Sequence, residues 1–132
     1  MNPVAAHLMR TGAACLLAVS GVIHAQLYLQ GYRTIPGVGP AFLLQASAAP
    51  AVAVLLLFTS AAVLRLAAAA LAAGALAGFV LSRTVGVFGF VEHGPQPAPY
   101  ALISVLAEIA VLALLGAPLL SRTSRPAPSL SR

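Results

Sequence analysis

Between residues 41 and 82 the chain carries a single charged side chain, Arg65. Few folds accommodate such a stretch. As one α-helix it would run roughly 60 Å at 1.5 Å per residue, twice the hydrocarbon thickness of a bilayer. The chain must therefore reverse within it, and Thr59, Ser60 and Arg65 are the polar residues nearest its middle. That reversal divides the run into spans 41–62 and 64–83. The whole chain is 61% hydrophobic and 7% charged, whereas a soluble domain is about 25% charged. A water-soluble fold of this composition lacks the polar surface to cover its core, so the solvent for these helices is lipid.

Two further apolar runs, 10–30 and 100–120, have the same length. The intervening segments 31–40 and 84–99 are dense in glycine and proline and read as structured loops. The reading is an all-α, polytopic transmembrane four-helix bundle, a single domain over 1–120. It is followed by a basic tail, 121–132, whose composition predicts disorder.

The net charge of +5 comes from seven arginines against Glu92 and Glu108. The arginines stand singly at the edges of apolar runs, with no basic patch interleaved with aromatics. They act as topology signals and headgroup contacts, and nucleic-acid binding is excluded. With the N-terminus cytoplasmic, Arg10, Arg65, Arg122, Arg125 and Arg132 fall inside and Arg33 and Arg83 outside. The positive-inside rule thus predicts a multi-pass protein of a bacterial cytoplasmic membrane with both termini inside. A secretory signal cleaved after Ala25 is the rival for the first run. Ile23 and His24 suit such a site poorly, and the apolar run continues to Leu29, so a retained helix is expected. Cys15 stands alone, which precludes an internal disulfide; a small buried residue is the reading for it.

Polar residues inside a span are costly and mark where chemistry sits. Glu108 lies eight residues into the last span, with Ser104 one turn earlier on the same face. It either locks the bundle through an interhelical hydrogen bond or ion pair, or serves a ligand, a proton or a metal. His24 lies in the first span, with Ser20 and Tyr28 one turn to either side, and is a packing residue, a ligand or a proton carrier. Under the predicted topology Tyr32, Arg33, Gln45, Arg83, Glu92, His93 and Tyr100 gather at the same, outer side. The candidate polar site is therefore His24, Tyr28, Arg33, Gln45, Arg83 and Glu108, with Arg83 within reach of Glu108. No catalytic set is present: aspartate is absent, and neither a nucleophile–base pair nor a phosphate loop is found. The histidines and glutamates share no metal-ligand spacing, and a bis-histidine haem would require His24 and His93 at matched depth. Metal, haem and quinone all stay open, and no cofactor is assigned.

Two features concern packing. Gly74 and Gly78, extended by Ala70 and Ser82, form a small-residue stripe of the kind that lets helices approach closely, and packing within the bundle is the favoured use. Pro50, in the middle of the second span, predicts a kink and a freed carbonyl, either simply tolerated or beside a widened pocket.

The order Gly31-Tyr32-Arg33-Thr34-Ile35-Pro36 before Phe42-Leu43-Leu44, followed by Ser82-Arg83-Thr84-Val85-Gly86, resembles small uncharacterised four-helix membrane proteins of high-GC actinobacteria. In size and hydropathy the chain is also similar to the DoxX-like group. The first resemblance covers most of the chain, and neither implies an activity or a catalytic residue. Small size and the small-residue stripe point to a non-enzymatic accessory or assembly subunit, partnered by the bilayer and by other membrane subunits or by itself. The alternative is a redox, ligand-binding or proton-linked protein using the outer polar site.

Overall fold

The computed structural model describes residues 2–123, with side chains through residue 117. It is all-helical: α1 (Pro3–Leu29), α2 (Val38–Phe58), α3 (Ala62–Arg83) and α4 (Tyr100–Thr123), with one 3₁₀ turn at Tyr32–Thr34. The extended structure among these residues is one isolated bridge, Val87 to Phe90. All four helices are long and apolar enough to cross a membrane. Positions 124–132 of the basic tail lie outside the described residues.

Local chemistry explains where the helices begin and end. α1 starts ahead of the apolar run because Asn2 caps it, its side chain accepting from the Val4 N–H at 2.9 Å, with Pro3 in the first turn. α2 starts at Val38, where Gly37 (φ +74°) turns the chain and the Gly39 N–H donates to the Ile35 carbonyl at 2.9 Å. Thr59 is extended (φ −145°, ψ 151°) and ends α2. Its hydroxyl accepts from the Ala61 N–H at 3.3 Å, and α3 starts at the next residue. The reversal therefore occupies Thr59–Ala61, and Arg65 sits exposed in the first turn of α3.

α1 packs on α2 and α4, and α3 completes the ring between them. The end that holds the α2–α3 turn is filled by small and branched side chains: Ala14, Leu17, Ala49, Ala53, Leu56, Ala68, Ala72 and Val111. Alanine on facing helices permits close backbone approach, so packing there comes from dispersion rather than bulk. α1 and α2 meet closely at Gly21 on α1. A Cβ built there would stand 2.6 Å from Pro50 Cδ and 3.3 Å from Ala49 Cβ.

Two expectations from sequence, for the α3 stripe and for Cys15, are corrected here, and of the two readings of Pro50 one falls. Pro50 is not beside a widened pocket; its ring fills the notch left by Gly21. Gly74 and Gly78 do not bring helices together, because nothing lies within 4 Å of a Cβ at either position. α3 presents this stripe to open space, since α2 and α4 touch it through Ala68 and Ala72 further along. Cys15 is exposed; one residue on from inward-facing Ala14, a helix has rotated by about 100°.

Candidate functional site

At the opposite end, toward the 31–37 and 84–99 loops, residues of all four helices line a cavity of about 340 Å³ that is open at its side, where Leu44, Ala70 and Gly74 are exposed. The stripe Ala70, Gly74, Gly78 and Ser82 forms its α3 wall. The missing side chains of that stripe are what make the space.

The floor is polar and is built by three helices. Glu108 of α4 is 1% exposed, and its Oε1 accepts the hydroxyls of Ser20 from α1 and Ser104 from α4, each at 2.8 Å. Gln45 of α2 donates in turn to Ser20 Oγ at 3.3 Å. The chain Gln45–Ser20–Glu108–Ser104 thus ties α2, α1 and α4 together through side chains that are all buried. Both hydroxyl hydrogens are spent on Oε1, and Oε2 accepts nothing among the described residues.

His24 stands beside this floor. Its Nδ1 lies 2.9 Å from the Ser20 carbonyl oxygen. A carbonyl only accepts, so Nδ1 carries the hydrogen, and Nε2 of the neutral ring keeps its lone pair. The ring packs on Phe42 (centroids 4.9 Å), and Phe42 stacks on Tyr32 (4.8 Å, 11°). Tyr32 meets the edge of Phe90 at 6.1 Å. These rings roof the cavity.

The rim joins the two loops. Tyr32 donates to Glu92 Oε2 at 2.6 Å, and Phe88 occupies the place a side chain at Gly37 would need. Burial, then the hydrogen bond and charge of Glu92, push the Tyr32 hydroxyl above its ordinary range. The folded state therefore favours the neutral phenol, and this contribution is full below about pH 10 and is lost as the pH rises beyond it. Tyr32→Phe is expected to cost about 1 kcal/mol and to speed amide exchange in both loops, as read by exchange mass spectrometry. Unchanged exchange would show that the loops are held by packing alone.

The structure brings His24, Gln45, Arg83 and Glu108 together around the cavity and leaves out Tyr28 and Arg33. Seven residues are almost two helical turns, so Leu27 returns to the face of Ser20 while Tyr28 drifts off it. Arg33 is exposed on the 3₁₀ turn. Arg83 and Glu108 do not pair. The guanidinium lies 3.8 Å over the Phe79 ring and donates to the Gln96 carbonyl and to Ser82 Oγ, while Glu108 Oε1 takes the two serine hydroxyls. His93 is exposed in the loop, away from His24. No three His, Cys, Asp or Glu side chains converge among the described residues. Phe42 and Phe90 escape a search for polar residues. For Phe42 the available signal was its place three residues before Gln45, on one face of α2.

Compared with known proteins, the chain matches no family model, no curated protein and no solved structure.

Proposed function

We propose that this chain is a four-pass integral membrane protein that binds a small lipophilic molecule in the cavity between its helices. The membrane is a bacterial cytoplasmic membrane, with both termini inside and the cavity in the outer half. The observation that carries the reading is an apolar, aromatic-roofed cavity with a buried carboxyl, an imidazole and an amide at its floor. A few convergent polar groups in an otherwise apolar pocket are the usual composition of a ligand site, and about 340 Å³ falls within the usual range. The four long apolar helices support the membrane setting.

The test fills the space. Gly78→Leu builds a four-carbon side chain from a Cβ with nothing within 4 Å, and it removes a helix-interior glycine that costs about 1 kcal/mol relative to alanine. In lipid nanodiscs the variant is expected to melt at or above the wild-type temperature. It should also lose the fluorescence enhancement of bound N-phenyl-1-naphthylamine, a neutral apolar probe. Retained probe binding by the folded variant would remove the cavity as the site.

A second reading, a non-enzymatic accessory subunit or self-associating component, draws on α3, which buries only Ala68 and Ala72. An outward face so little used within the chain is available to another helix. Recovery of the protein from mild detergent solely as a free monomer would count against it.

A further inference from the structure

The polar groups around the cavity are unequal in sense. At the floor, the hydroxyl hydrogens of Ser20 and Ser104 both go to Glu108 Oε1, and the Nδ1 hydrogen of His24 goes to the Ser20 carbonyl. Gln45 spends one N–H on Ser20. Glu108 Oε2 of the ionised carboxyl, His24 Nε2 and Gln45 Oε1 remain as acceptors, beside one further N–H of Gln45. At the rim the Tyr32 hydroxyl is given to Glu92, and Arg83 is held by Ser82, Gln96 and the Phe79 face. A ligand that reaches the floor therefore meets three acceptors and one donor.

The charges agree with this. The lining holds two carboxylates, Glu92 and Glu108, against one guanidinium, Arg83. His24 is neutral in the tautomer its hydrogen bond selects. With all three charged groups ionised, the lining carries one net negative charge in a largely apolar, side-open cavity. A carboxylate buried without a counter-charge is costly, and a cation beside it offsets that cost. A ligand carboxylate would instead face Glu108, since Arg83 stands at the rim with N–H groups given to Ser82 and Gln96.

We propose that the cavity takes an amphipathic organic ammonium ion, its N–H donated to Glu108 with His24 Nε2 and Gln45 alongside, and its apolar body under the Phe42–Tyr32 roof. This rests on the ligand-binding reading above and names the chemistry of the ligand.

Three probes of one shape separate the terms: 4-butyl-N,N-dimethylbenzylamine, protonated at pH 7; 4-butylbenzyltrimethylammonium, charged without an N–H; and 1-butyl-4-isobutylbenzene, neutral. Binding is measured in nanodiscs for wild type, Glu108→Gln and Gly78→Leu, with empty nanodiscs subtracted for partition into lipid. The Glu108→Gln variant keeps a side-chain oxygen for Ser20 and Ser104, so the fold is retained, and its melting temperature verifies this. The tertiary amine is expected to bind the wild type at least about tenfold tighter than either analogue. Glu108→Gln should remove that advantage without changing the neutral probe, as a charged hydrogen bond of the usual strength implies. Gly78→Leu should abolish binding of all three. If the neutral probe binds as tightly as the amine, or folded Glu108→Gln binds the amine as wild type does, the ammonium assignment is overturned. Loss of all binding in Gly78→Leu would then still uphold the cavity. If the quaternary ion matches the amine, the N–H donation is wrong. If no probe binds the wild type, both the assignment and the ligand-binding reading fall.

Discussion

Gly21→Leu is expected to destabilise the protein by about 3 kcal/mol, the upper part of the range for overpacking a tight contact. A Cβ at residue 21 stands 2.6 Å from Pro50 Cδ and 2.7 Å from Cγ. A proline ring has no rotamer by which to retreat, so α1 and α2 must separate along their contact. Because α1 also carries Ser20, that separation stretches the Gln45–Ser20–Glu108 chain. Unfolding in mixed micelles, compared with Gly78→Leu, isolates the cause, since the same chemical change on α3 meets open space. Equal stability of the two variants would show that the Gly21–Pro50 contact does not hold the helices together.

Glu108→Ala should cost about 2 kcal/mol, whereas Glu108→Gln should remain within about 1 kcal/mol of wild type. Alanine deprives two buried hydroxyls of their acceptor and enlarges the cavity. Glutamine keeps an oxygen in reach of both. Each serine can recover part of its loss by bonding a carbonyl one turn back on its own helix, which is why the cost is not larger. Calorimetric or micelle unfolding of the pair checks the difference. If alanine is as stable as glutamine, the floor does not lock the helices and its polar groups serve only what occupies the cavity.

Much of the helical layout was legible because composition and length act directly on it. Apolar runs of bilayer length, bounded by Gly/Pro loops and a Thr59-Ser60 turn, have few options other than helices. Glu108, Ser104, Ser20, His24, Gln45 and Arg83 were legible as rare polar groups in apolar surroundings, and the structure gathers them at one end of the bundle. Arg83, within reach of Glu108 on sequence, does not pair with it, because each side chain finds its partners elsewhere. The site was less legible wherever it depended on two helices at once. Tyr28 obeys the i+4 rule from His24 yet leaves the cavity, since a small angular drift over one turn decides which side of a neighbouring helix a residue meets. Phe42 and Phe90 are ordinary apolar residues in sequence and become a roof only when α2 and the second loop are brought over His24.

The small residues divide the two levels of information most clearly. Gly21, Gly74 and Gly78 are identical in composition, and on sequence the pair on α3 carries the stronger packing motif. The apolar pattern by itself determined that the chain is helical, where it turns, and which end gathers its polar groups, because those follow from the cost of burying or exposing each side chain along one element. What covers a glycine is a property of a second element. Tertiary structure set Pro50 against Gly21 and nothing against Gly74 and Gly78, so the same absent side chain is a close contact on α1 and an open cavity on α3.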